Sequence, residues 1–147
     1  MKMIEIDIDE RRNAWLEENP ECRQILAVYP AFYARAGYDP PWIGYFFQRD
    51  NEIVGCGGFK GRPKGGRVEI SYGTFKNFEK QGVGTEICRQ LVVLSKRSDP
   101  GLMITARTLI ENNASVNILK RNGFTYAGIV HDDEDGDVWE WVYRSPE

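Results

Sequence analysis

A single histidine, His131, and three scattered cysteines, Cys22, Cys56 and Cys88, are all the imidazole and thiol that this 147-residue sequence offers. With no Cys-x-x-Cys pair the spacing implies neither a zinc site nor a disulfide framework, and a His/Cys metal site would have little to draw on. No metal is expected. Positive charge is also short: 19 Lys and Arg against 22 Asp and Glu leave a net charge of −3 and a pI near 5.3. General nucleic-acid and anionic-membrane binders need a basic surface, so neither partner is expected, and an acidic protein suits a cationic partner slightly better. No apolar stretch is long enough to span a bilayer, and Met1 to Asp7 has acidic residues where a signal peptide would have an apolar run. These absences together read as a soluble, reduced, cytoplasmic protein.

What is present suffices for one core. The chain is 41% hydrophobic and 28% charged, which fits one globular domain over residues 1–147, with no internal repeat or low-complexity linker. The organising stretch runs from Arg67 to Arg97 and reads as a strand, a short loop carrying Gly82 and Gly84, and a helix. A helix that starts just after Gly-x-Gly leaves its first N–H groups unpaired and puts the positive end of its dipole there, so an anionic group can dock on bare backbone. A tight strand-to-helix turn would use the same two glycines, and the pair alone does not decide between the two. The strand before the loop carries an acidic residue, Glu69, thirteen positions ahead of Gly82.

The rest of the chain falls around this stretch. Met3 to Ile8 alternates apolar and acidic residues like a half-buried strand, and Asp9 caps a helix through Trp15 and Leu16 that stops near Asn19-Pro20. Glu21 to Ala36 has helical spacing with a break expected at Pro30. Ile43 to Gln48 and Ile53 to Lys60 flank a polar turn of hairpin length, a basic loop over 61–66 follows, and Arg67 to Phe75 completes an antiparallel meander. The next helix presents Ile87, Leu91 and Leu94 on one face, widened by Val83, Val92 and Val93. Leu102 to Leu109 returns as a strand through a right-handed crossover, which makes it parallel to the strand of Glu69. A capped helix over Ala114 to Arg121 leads to a closing hairpin, Phe124 to Val130 and Val138 to Arg144, around an acidic loop that includes His131.

The ordered set of a strand with Glu69, the Gly82-Val83-Gly84-Thr85 turn, a helix, a strand, Asn112-Asn113-Ala114-Ser115 and a helix closing in Leu119-Lys120 before Gly123-Phe124 resembles the GNAT superfamily of acyl-CoA-dependent N-acyltransferases. The resemblance covers about Tyr45 to Arg144, and the strand and turn resemble the branch of ribosomal-protein N-terminal acetyltransferases. It implies an α/β fold with a mixed, mostly antiparallel sheet, one parallel splayed pair and helices on both faces. It further implies acetyl-CoA as co-substrate, no metal, and direct attack by a primary amine in a ternary complex. Acetylation of a protein N-terminus or lysine, and a non-catalytic acyl-CoA-binding module, are the alternatives. The acceptor is a small-molecule or peptide amine, and the protein a monomer or homodimer.

Acyl transfer needs a diphosphate seat, a grip on the pantetheine arm, a route for the amine's proton and stabilisation of the oxyanion. The resemblance places the seat on backbone groups of Gln81, Gly82, Val83, Gly84 and Thr85, with Lys80 as charge partner, and the grip on Tyr72, Gly73 and Thr74. Thr74 is also an ordinary strand residue. Glu79 stands where the family has Gln or Arg, and a carboxylate there disfavours a diphosphate unless it points away. Glu69 is the candidate base, or else an ion-pair partner of Arg67 or Arg107. Asn112 and Ser115 join the cofactor set, while Asn112, Asn113 or Ser115 could each cap the helix. The family's Tyr position holds Leu119, and Ser115, Tyr72 and Tyr126 remain as hydroxyls for the departing thiolate. His131 reads as a solvated loop residue, the acidic run beside it as a solvated tip or a lure for a cationic substrate, and Trp42, Trp139 and Trp141 as packing. No cysteine falls at a spacing that pairs it with a base, which disfavours an acyl-enzyme.

Overall fold

Local signals set most element ends. Asp9 caps a 3-10 helix over Glu10–Leu16 by accepting from Arg11 N–H, and Asn19 caps α1 (Pro20–Leu26) by accepting from Glu21 and Cys22. Pro30 stands in the first turn of α2 (Tyr29–Ala36), so the expected break falls just before it. Asp50 and Asn51 both take positive φ, 50° and 67°, in the tight turn that joins β2 (Gly44–Arg49) to β3 (Glu52–Phe59). The computed structural model describes residues 1–111 and 113–144. With β1 (Lys2–Glu5), β4 (Arg67–Thr74), β5 (Met103–Thr108), β6 (Phe124–Asp132) and β7 (Gly136–Tyr143), these strands form one seven-stranded sheet in the order β1-β2-β3-β4-β5-β7-β6. Every neighbouring pair is antiparallel except β4 and β5, the pair joined through α3 (Val83–Ser98).

Helices cover both faces. Tyr29 of α2 lies on Gly44, while Ile87 of α3 lies on Gly57, the partner of Tyr45; since Gly44 and Tyr45 are consecutive, the two helices take opposite faces. The α4 helix (Ala114–Arg121) packs beside α3 through Ile118. Phe46, Phe47, Ile43, Ile70, Ile87, Leu91, Ile104 and Leu119 are fully buried between these layers. Among the described residues no helix is long and apolar enough to cross a membrane.

Three expectations shift. The first strand ends at Glu5 rather than Ile8, because Asp7 and Asn13 exchange two hydrogen bonds that turn the chain and leave Ile8 exposed. Val93 is exposed, and Ser95 takes the buried place in line with Cys88, Leu91 and Val92 that the helical period assigns to it. The last hairpin is longer than expected, so His131 and Asp132 belong to β6 rather than to a loop.

Candidate functional site

The parallel pairing of β4 with β5 ends at Glu69 opposite Thr105, while β4 runs on to Thr74 against β3 and β5 turns its remaining residues to β7. On the β5 side, main-chain groups between Ile70 and Thr74 therefore have no strand partner and can pair with an extended ligand. After β4, Gly82 takes a φ of 77° at the start of α3, and no side chain caps that helix. Its first amides stay bare at the positive end of the dipole. A cavity of about 470 Å³ lies between this turn, the end of β4 and the start of α4. Bare amides with Lys80 and Arg121 beside them suit a diphosphate, and the free edge of β4 suits an amide-bearing arm.

The two glycines serve different ends. A Cβ at Gly82 would meet nothing within 4 Å, so its backbone angle is what requires glycine. A Cβ at Gly84 would stand 2.6 Å from Ile118 Cδ1 and 3.2 Å from Thr74 Oγ1, so glycine there lets α3 close on α4 and β4 at the cavity wall. Across the gap the Tyr72 hydroxyl donates to the Ser115 carbonyl at 3.3 Å. Burial holds that phenol well above its ordinary range, which keeps it protonated and able to donate this hydrogen bond.

Glu69 faces the other side of the sheet, into a cavity of about 740 Å³ beside the end of α2. Its Oε2 lies 3.4 Å from Lys60 Nζ and its Oε1 3.6 Å from Arg107 Nε. Arg107 also reaches Asp132 Oδ2 at 3.1 Å and Glu140 Oε2 at 3.7 Å, and Arg67 Nη2 meets Glu140 Oε1 at 2.8 Å. Arg107 Nε is buried with no hydrogen-bond partner among the described residues. The backbone N–H of Glu134, and after it the Arg107 guanidinium and the N–H of Asp135, hold the Asp132 carboxyl below its usual range against the effect of burial. The thiols cannot serve as nucleophiles: burial pushes Cys56 up to about 11 and Cys22 and Cys88 to about 12, and none of them lines either cavity.

Of the residues expected to hold a cofactor, Tyr72, Gly73, Thr74, Lys80, Gly82, Val83, Gly84, Thr85 and Ser115 all line the α3-side cavity. Gln81 does not; it is exposed and its side-chain oxygen accepts from Arg49 Nη2 at 2.7 Å. Asn112 lies outside the described residues. The α4 cap is Asn113, which accepts from Val116 N–H. Glu79 borders the cavity together with Lys80 and Arg121 and pairs with neither among the described residues. Among the three hydroxyls, Tyr72 and Ser115 line this cavity and Tyr126 stands in a separate groove with Trp139 and Trp141. Leu119 is core. His131, 72% exposed and 3.6 Å from Asp137, touches neither cavity.

Of the two arginines weighed as partners of Glu69, Arg107 pairs with it and Arg67 goes to Glu140 instead. Lys60, Glu140 and Arg121 escaped the sequence reading. Arg121 follows Ser115 and Ile118 at three-residue steps on one helix face, a signal that was available. Glu140 stands directly across from Arg107 in the β5–β7 ladder, which is visible only once the strand order is known.

Residues 3–125 match the family described as Acetyltransferase (GNAT) domain. A protein of Bacillus subtilis (strain 168), an uncharacterized N-acetyltransferase named YjdG, is 30% identical over 131 residues, covering 88% of this chain and 71% of that protein. Among solved structures, RimL, a ribosomal L7/L12 α-N-protein acetyltransferase in complex with coenzyme A, superposes with a TM-score of 0.68 at 20% identity over 95% of this chain and 91% of that one. The aminoglycoside acetyltransferase AAC(6')-Ib in complex with coenzyme A gives 0.71 at 16% identity over 98% and 94%. At these identities the structural likeness is one of fold.

Proposed function

From the premise that this chain belongs to the GNAT acetyltransferase family, we propose that it moves the acetyl group of acetyl-CoA to a primary amine of a small molecule or peptide, by direct attack in a ternary complex. The observation that carries this reading is the end of the β4–β5 pairing just past Glu69 and Thr105, with one cavity at the uncapped start of α3 on one face of the sheet and a second at Glu69 on the other. Its shape supports a diphosphate on the amides of positions 82 to 85 and the pantetheine arm along Tyr72, Gly73 and Thr74. The coenzyme A bound by RimL and by AAC(6')-Ib supports the same assignment.

The amine nitrogen attacks the thioester carbon; the N–C bond forms, and the C–S bond breaks with its electron pair leaving on sulfur. A backbone N–H on the free edge of β4 faces the carbonyl oxygen as charge builds there. The ammonium loses one proton through Glu69 to solvent before attack, and the proton that the new amide nitrogen sheds afterwards ends on the departing thiolate. Tyr72 is three strand residues from Glu69, about 10 Å at about 3.3 Å per residue, so an amine beside Tyr72 reaches the carboxylate through water. Water or the hydroxyls of Tyr72 and Ser115, which line the α3-side cavity, can relay the thiolate's proton, and no strong acid is required.

The test is calorimetry with acetyl-CoA followed by release of free thiol across a panel of amines. Binding with thiol release is the expected result. Binding with a flat release curve would leave an acyl-CoA-binding module, and no binding would remove the cofactor seat.

A further inference from the structure

We propose that the acceptor amine carries an anion, a carboxylate or a phosphate, and that the cations around the Glu69 cavity bind it; this rests on reading that cavity as the acceptor side. The chain as a whole is acidic, with a net charge of −3, and that alone would favour a cationic acceptor. Around this cavity the balance is reversed. Arg35, Lys60, Arg62, Lys64, Arg67 and Arg107 border it, against Glu69 and Glu140. Internal pairing occupies only some of the six: Lys60 and Arg107 lie on Glu69, Arg107 on Asp132, and Arg67 on Glu140. Among the described residues, Arg35, Arg62 and Lys64 pair with no carboxylate.

Two of these three are held at the rim. The Arg62 guanidinium lies against Gly37 at the C-terminal end of α2, where the negative end of the helix dipole favours a cation. Arg35 stands 5.9 Å above the Phe32 ring. On the inner wall Arg107 is shared among Glu69, Asp132 and Glu140, so the cations left for a ligand are those of the rim. A polycation entering here meets like charge at several points, whereas an anionic amine gains both attraction and orientation.

The test compares thiol release by the full chain for phosphoethanolamine, aspartate, ethanolamine and spermidine, with calorimetry of phosphoethanolamine and ethanolamine on the coenzyme A-loaded protein. We expect phosphoethanolamine or aspartate to exceed both other amines by about tenfold or more in kcat/KM, with the margin shrinking at high salt; their relative rates separate phosphate from carboxylate. Joint Arg62→Glu and Lys64→Glu substitution should erase the margin through the acceptor KM, with the acetyl-CoA KM as control. Equal or faster turnover of ethanolamine or spermidine overturns the anion preference and leaves the transferase reading standing. Selective binding of phosphoethanolamine with no thiol release from any amine does the reverse. Neither selective binding nor release overturns both.

Discussion

The cavities on the two sides of the sheet are made of different material. The α3 side offers a ligand backbone: the uncapped amides after Gly82 and the unpaired edge of β4. The α2 side offers charged side chains contributed by β4, β5 and β7 and by the loop after β3. A backbone seat depends on the fold alone, and it suits the half of the reaction that does not vary, the acyl donor. A side-chain cluster is reset by single substitutions, and it suits the half that defines the enzyme, the acceptor.

The comparison breaks most visibly at Glu69. Glu69→Gln keeps the shape and removes the charge, so kcat should fall about a hundredfold while acetyl-CoA binds with near-unchanged affinity. Steady-state kinetics and calorimetry read the two sides separately. Undiminished turnover would remove Glu69 from the chemistry, and a parallel loss of affinity would mean that the sides are not independent. The reverse experiment is Gly84→Val. Its side chain would collide with Ile118 and Thr74, so stability should drop by about 2 kcal/mol and acetyl-CoA affinity with it. Thermal melts with and without acetyl-CoA measure both; a stable variant with full affinity would show that the α3–α4 contact does not shape the seat.

The same contrast explains what could be read from the sequence. The α3 side was legible because it is local: Tyr72 to Thr74 and Gly82 to Thr85 sit within fourteen consecutive residues, in a strand, a turn and a helix whose signals are each short-range. Even there the two glycines looked equivalent, and only the positions of Ile118 and Thr74 separate a backbone requirement from a packing one. That the strand from Leu102 to Leu109 runs parallel to that of Glu69 followed from the strand–helix–strand order and holds, while the register that sets Glu69 against Thr105 is visible only in the structure. The α2 side was mostly illegible, because Lys60, Arg107, Asp132 and Glu140 come together only through the strand order, to which no short window of sequence refers. Net charge does not reveal this cavity for the same reason: it averages over a surface whose basic part is gathered in one place. His131 looked like part of a loop because the acidic run hid where β6 ends.

The smallest expected effect sharpens the comparison at its far edge. Asp132 ties the last hairpin to the charge cluster with its two oxygens divided: Oδ1 accepts from the N–H groups of Glu134 and Asp135 at 2.9 and 3.2 Å, and Oδ2 accepts from Arg107 at 3.1 Å. Asp132→Asn can keep the first oxygen and the turn, but it sets an NH2 donor against the guanidinium, which should cost about 1 kcal/mol at pH 7. Because the folded-state carboxyl lies below its ordinary value, its contribution is complete above the unfolded value near about 3.9 and disappears as pH falls through the lower folded value. The difference in Tm between the two proteins should therefore be constant from pH 7 to about 5 and close as the pH drops below about 4. A gap that persisted into acid would assign Asp132 a role through shape alone. A gap that closed, together with a raised acceptor KM and an unmoved acetyl-CoA KM, would show that this carboxylate acts by fixing Arg107, and so on the acceptor side only.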